Sequence, residues 1–189
     1  MKLSVLDQST AADGVPAAQT LRDTVELAAF AEELGYHRFW VSEHHNHPAI
    51  NGTAPEILMA AISQRTSRIR LGSAGVMLPH YAPLKVAEQF RVLESLAPGR
   101  IDLGLGRAPG GDGLTSMALN PNAHEDANNF PSNVRDLMAC VSGAPLPDGH
   151  HFKNIVAYPV TDTAPEIWML GTSDYGASVA AHFGIPYCF

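Results

Sequence analysis

Basic residues are the first shortage. The 189-residue chain carries 12 Lys and Arg against 19 Asp and Glu, a formal net charge of −7. A balance of that sign argues against nucleic acid or an anionic membrane as a partner. Cysteine is scarcer still: Cys140 and Cys188 form no metal or redox spacing, and a reducing cytoplasm fits them best. No apolar run approaches a membrane span, and Asp7 interrupts the apolar start too early for a secretory signal. What is present, 46% apolar and 16% charged residues, is ordinary globular composition. The length suits one domain, residues 1–189, with a sizeable core.

Strand-like and helix-like patterns take turns along the chain. Leu3 to Leu6 reads as a first strand, and residues 17–34 place Leu21, Val25, Ala28 and Ala31 on one helical face before Gly35. His37 to Val41 reads as the second strand. Thr53-Ala54-Pro55-Glu56 has the form of a capping box opening a helix through about Arg65. Ile69 to Leu78 reads as one strand, and Pro83 opens a helix striped by Val86, Phe90, Leu93 and Ala97. Arg100 to Gly106 is the fourth strand. Residues 123–142 read as a helix that Pro131 breaks or restarts, and His150 to Pro159 as an irregular excursion with a small hairpin. Glu166 to Leu170 is the fifth strand, a short helix runs to His182, and Ile185 begins a sixth.

Repeating strand–helix units imply parallel strands with right-handed crossovers. Glycine-rich and polar clusters recur after strands two, four and five, at the carboxyl end. Both (β/α) barrels and doubly wound sheets place ligand sites there, and periodicity does not choose between them.

The densest cluster is Arg100-Ile-Asp-Leu-Gly-Leu-Gly-Arg-Ala-Pro-Gly-Gly111, a strand that ends in a loop of small residues around Arg107. Such a loop admits a phosphate or ring close to the backbone, with a planar cation beside it. It is not a dinucleotide fingerprint: Pro109 holds the third glycine's place, and no helical pattern follows at once. After strand two stand His44, His45 and His47. As a strand, this segment would put 45 and 47 on the face opposite 44, and no carboxylate or thiolate completes a metal set. No metal is expected, and His45 reads as a structural histidine.

Four segments together resemble the bacterial luciferase-like, flavin-dependent monooxygenase family. They are Phe39-Trp-Val-Ser-Glu-His-His45, Gly72-Ser-Ala-Gly-Val-Met-Leu-Pro79, Arg100-Ile-Asp-Leu-Gly-Leu-Gly-Arg107 and Gly171-Thr-Ser-Asp-Tyr-Gly176. The resemblance implies an α/β fold of the TIM-barrel type with FMN at the carboxyl ends of its strands. It implies reduced FMN, supplied by a separate flavin reductase, acting with O2 on a small organic substrate. Arg107 with Gly106, and Ser173 with Thr172 and Gly176, match the phosphate-binding turns. Ala74 and Gly75 match a non-proline cis peptide beneath the flavin ring. His44 matches the histidine near the reactive flavin edge, with Glu43 beside it as a second catalytic candidate. The helices at about 54–66 and 83–97 match a homodimer-forming pair.

The chain departs from the family in extent. A complete barrel takes about 250 residues, whereas about six strands are present here, which implies an incomplete barrel. Two other readings stay open on the same motifs: a non-catalytic FMN-binding protein, and a deazaflavin-dependent hydride-transfer oxidoreductase.

Overall fold

The computed structural model describes residues 1–189. Its first half runs β1 (Ser4–Asp7), α1 (Ala17–Glu33), β2 (Arg38–Val41), α2 (Pro55–Ser63), β3 (Arg70–Ser73), β4 (Val76–Met77), a 3-10 turn (Leu78–His80) and α3 (Pro83–Leu96). Then follow β5 (Ile101–Gly106), α4 (Gly113–Leu119), α5 (Ala123–Asn128), α6 (Phe130–Ser142), β6 (Glu166–Leu170), α7 (Asp174–Phe183) and β7 (Tyr187–Cys188).

All strand pairs are parallel, in the order β1-β2-β3-β5-β6-β7, with β4 also on β5. Neighbours in space follow the order in the chain. A doubly wound sheet would reverse direction partway; this one winds one way and stays open, as half of a (β/α) barrel. β3 and β4 share one position, so six positions hold seven strands.

Alternation gives the sheet two unlike faces. Phe39, Val41, Leu71, Ile101, Leu103, Leu105 and Met169 turn toward the helices and join Met59, Ile62, Phe90, Val134 and Leu137 in one buried core. The other face is charged. Asp102, fully buried there, accepts from Arg38, Arg70 and the Trp40 indole N–H, while Glu166 takes a further bond from Arg38. Two guanidiniums on one carboxylate leave its oxygens satisfied, which is what a buried charge requires.

Helix ends follow local chemistry. Proline opens α2, α3 and α6, where its missing N–H is not needed. Gly143 and Gly184 end α6 and α7 in the left-handed conformation.

Several expectations need correction. Thr53 does not cap α2; Ala54 takes that place and no side chain bonds to the first turn. The strand read over 69–78 is two strands parted at Ala74-Gly75, and its end is the 3-10 turn. Residues 150–159 form turns rather than a hairpin, because no strand pairing occurs there. The interruption expected over 123–142 is present: the segment is two helices, and Pro131 restarts the pattern in the first turn of α6. α4, which buries no residue, has no apolar stripe for periodicity to detect.

Candidate functional site

A cleft of about 520 Å³ opens where β2, β4, β5 and β6 end. That volume lies within the ~300–1,000 Å³ range of small-molecule sites. All nine residues singled out from the sequence line it: Glu43, His44, Ala74, Gly75, Gly106, Arg107, Thr172, Ser173 and Gly176. Parallel pairing makes this convergence unavoidable, because each of these segments leaves the sheet at the same end.

One end of the cleft gathers hydrogen-bond donors that have no acceptor within the protein. Arg107 leaves the tip of β5, exposed, with no carboxylate among its partners. Its guanidinium lies 4.2 Å from the centre of the Tyr175 ring. Across from it α7 begins at Ser173, whose hydroxyl makes no bond to its own first turn. The leading N–H groups of a helix have no intrahelical acceptor and carry partial positive charge. Ser173 and Thr172 are exposed, so neither is a packed structural serine or threonine. Asp174 in the first turn is the one adverse charge.

The cleft floor is backbone. The Ala74-Gly75 peptide is cis. A Cβ on Gly75 would meet the Gly104 carbonyl oxygen at 2.9 Å, and one on Gly104 would meet the Ser73 carbonyl oxygen at 2.1 Å. β3, β4 and β5 therefore approach too closely for side chains, whatever binds above them. Gly106 differs: its nearest neighbour would be the Val76 oxygen at 3.9 Å, so that glycine keeps the cleft open rather than the sheet closed.

The third wall carries the titratable groups. Glu43, 2% exposed, accepts from Tyr81 Oη at 2.6 Å and from His45 Nε2 at 2.8 Å on one oxygen. Its other oxygen accepts the Met77 N–H at 3.1 Å. Burial, then the Glu43 charge, pushes the Tyr81 phenol far above its ordinary range. His44 has Nδ1 3.3 Å from Ser42 Oγ, which leaves Nε2 for a ligand. Burial lowers the His44 pKa, and the neighbouring His47 adds to that. His80 Nε2 donates to the Pro109 carbonyl and His45 N–H to the Gly110 carbonyl, so the Arg107 loop is tied to this wall.

The histidines do not converge. The 42–47 segment is loop rather than strand; His45 turns to Glu43, and His47 Nδ1 accepts the Ala49 N–H. No group of three or more His, Cys, Asp or Glu is placed to hold a metal ion. The sequence reading passed over Tyr175, Met77 and Met169, which also line the cleft. Tyr175 lay inside a motif already singled out; an aromatic two residues after a serine cap was the available signal. No helix is long and apolar enough to cross a membrane.

Comparison with known proteins places this geometry. The luciferase-like monooxygenase family matches residues 1–189. An N-acetyl-S-alkylcysteine monooxygenase of Bacillus subtilis (strain 168) is 47% identical over 189 residues, covering 100% of this chain and 56% of that protein. The crystal structure of apo-MsnO8 superposes with a TM-score of 0.89 at 41% identity, covering 98% of this chain and 54% of that one. The FMN complex of the oxygenating constituent of 3,6-diketocamphane monooxygenase, a type II Baeyer-Villiger enzyme from the CAM plasmid of Pseudomonas putida, shares the fold. Its TM-score is 0.78 at 24% identity, covering 99% of this chain and 56% of that one. The chain thus spans about half the length of the relatives it matches.

Proposed function

The chain belongs to the luciferase-like monooxygenase family, and we propose that its cleft holds FMN within a monooxygenase that oxidises a small organic substrate with O2. The reduced flavin would come from a separate reductase. The observation that carries this reading is the placement of Arg107, without an acidic partner, on the same cleft as the uncapped first turn of α7. A planar guanidinium and a helix N-terminus together suit a phosphate that both can share.

Bound FMN supplies the redox chemistry; the chain supplies position and proton control. Arg107 would hold the phosphate through its N–H donors, together with Ser173, Thr172 and the Gly176 backbone. Ala74 and Gly75 offer a flat backbone floor for the ring, and Gly106 leaves its edge room. His44, whose pKa burial lowers, would take a proton from water at Nε2 and deliver it to the oxygen atom that leaves as water. Glu43, engaged by three protein donors, acts through the wall it holds. The N-acetyl-S-alkylcysteine relative makes a thioether carrying a carboxylate one substrate class to assay.

The test is titration of the purified chain with FMN and with riboflavin, which lacks the phosphate. Arg107→Ala is expected to weaken FMN about 10- to 100-fold, the worth of hydrogen bonds to a charged group, and riboflavin little. Equal losses for both remove Arg107 from the phosphate. Reduced protein is then mixed with O2 and thioether: binding without product favours the non-catalytic reading, and preference for deazaflavin favours hydride transfer.

A homodimer joined through α2 and α3 is part of the same proposal. Ile57, Val92 and Leu96, 67%, 48% and 50% exposed, line or flank a groove between these helices, beside Tyr158. Apolar area of this kind on adjoining helices favours a second copy. Ile57→Asp is expected to halve the mass read by light scattering; an unchanged mass places the contact elsewhere.

A further inference from the structure

We propose that Tyr175 is a positioning residue for phosphate recognition: its ring fixes the Arg107 guanidinium at the start of α7 while leaving every N–H donor of that guanidinium free. The proposal rests on the reading of this cleft as an FMN site.

Other arginines of the chain are ordered in a different way. Arg38 and Arg70 are held by Asp102, Arg91 by the carbonyls of Cys140, Val141 and Pro159, and Arg100 by those of Ser63, Thr66 and Ile69. Each is held through in-plane N–H bonds, so the donors that order the side chain are occupied. Arg107 makes no such bond. Its partner is the face of the Tyr175 ring, 4.2 Å away.

Geometry gives that difference a consequence. A cation over an aromatic ring is attracted through the faces of both groups, whereas the guanidinium's hydrogen bonds lie in its plane. A carboxylate partner would occupy the fork and cancel its charge; an aromatic one does neither. An unheld arginine samples many rotamers, and ordering it on ligand binding subtracts from affinity. Tyr175 also sits in the first turn of α7, two residues after Ser173. The ring therefore ties the cation to the same helix whose free N–H groups face the cleft. Its hydroxyl makes no hydrogen bond within the protein, and the residue is 38% exposed, so the core does not require it.

The experiment is a set of FMN and riboflavin titrations followed by flavin fluorescence. It uses the unaltered chain, Tyr175→Phe, Tyr175→Leu, Arg107→Ala and the Arg107→Ala/Tyr175→Leu double variant, with far-UV circular dichroism confirming the fold. Tyr175→Leu is expected to weaken FMN about 2- to 5-fold, as a cation–π contact at an exposed site does, and to leave riboflavin unchanged. Tyr175→Phe keeps the ring and should keep the affinity. With Arg107 already removed, Tyr175→Leu should add no further loss, since the coupling between the two positions is the whole effect. FMN binding unaffected in Tyr175→Leu overturns the proposal, as does equal loss of FMN and riboflavin, or Tyr175→Phe as weak as Tyr175→Leu. If the unaltered chain binds riboflavin as tightly as FMN, or binds neither, the phosphate reading itself falls and takes the proposal with it.

Discussion

Removing the Glu43 carboxylate should loosen the wall of the cleft before it touches any ligand. Three donors converge on that side chain: the Tyr81 hydroxyl, His45 Nε2 and the Met77 N–H. The first two come from the 3-10 turn's exit and from the loop after β2, and the third from β4. At 2% exposure the Glu43 side chain itself meets almost no solvent. Truncating one member of a buried charged network costs about 3–5 kcal/mol. At roughly 2–4 °C per kcal/mol for a chain of this size, Glu43→Ala should lower the melting temperature by roughly 6–20 °C.

Glu43→Gln discriminates charge from hydrogen bonding. An amide can turn its oxygen to the Met77 N–H and its NH2 to Tyr81 Oη and His45 Nε2, both of which can accept. That variant should lose about 1 kcal/mol, the scale of one altered hydrogen bond. It should also lower the Tyr81 phenol pKa, yet keep it above the ordinary value, because burial outranks Glu43 among the causes of the upward shift. Thermal melts and ultraviolet phenol titration read the two effects. A Glu43→Ala protein that melts within a degree of the unaltered chain would refute the view that this carboxylate holds β4.

Two further outcomes follow from the same geometry. His44 has a pKa below the ordinary imidazole value of 6.5, so between the two values the unfolded chain binds more protons. Its contribution to stability is present above about pH 6.5 and lost as pH falls through the folded value; His44→Gln should flatten that part of a stability–pH curve, and an unchanged slope would contradict the shift. His37 is lowered in the same direction, which is why the variant rather than the raw curve is diagnostic. Gly104→Ala should destabilise by about 1–3 kcal/mol or more, as overpacking does, because its methyl would sit 2.1 Å from the Ser73 oxygen. Gly106→Ala, with 3.9 Å to its nearest neighbour, should leave the melt unchanged and impair only flavin binding; a large drop in both variants would mean the two glycines share one structural duty.

The alternation of strands and helices was legible because burial on one face of a parallel sheet imposes it. Phe39, Val41, Leu71, Leu103 and Leu105 all fall on the helix-covered face. Periodicity alone did not give the barrel-like winding, since strand order is decided by long-range pairing that no local pattern encodes; the resemblance of the four segments implied it, and the strand order agrees. The break at Ala74-Gly75 was hidden for a related reason: residues 71–78 are apolar or small throughout, and only the approach of Gly104 from β5 shows why the strand parts there. α4 left a different trace. Asp112 accepts from the Leu114 and Thr115 N–H groups as its cap, so capping chemistry could have found a helix that periodicity could not. The Glu43 network spans 34 and 38 residues to Met77 and Tyr81, beyond any spacing rule.

The glycines of this site show why a motif and a pocket are different kinds of evidence. Gly75 and Gly104 belong to the segments that carried the family resemblance, yet the sheet demands both of them through backbone contacts alone. Their presence would be the same if nothing ever bound. Arg107, Ser173 and Gly106 are the reverse case. Arg107 balances no charge, Ser173 holds the N-cap position of α7 without its hydroxyl bonding to the first turn, and Gly106 relieves no clash. A fold gains nothing from an uncompensated cation, an unused hydroxyl and an empty space gathered at the ends of two neighbouring strands. Because each is dispensable to folding and all three line one cleft, a ligand with a phosphate is the economical account of why they stand together. Substituting these three should leave the melt unchanged while abolishing the preference for FMN over riboflavin; a melt lowered by all three would return them to the fold.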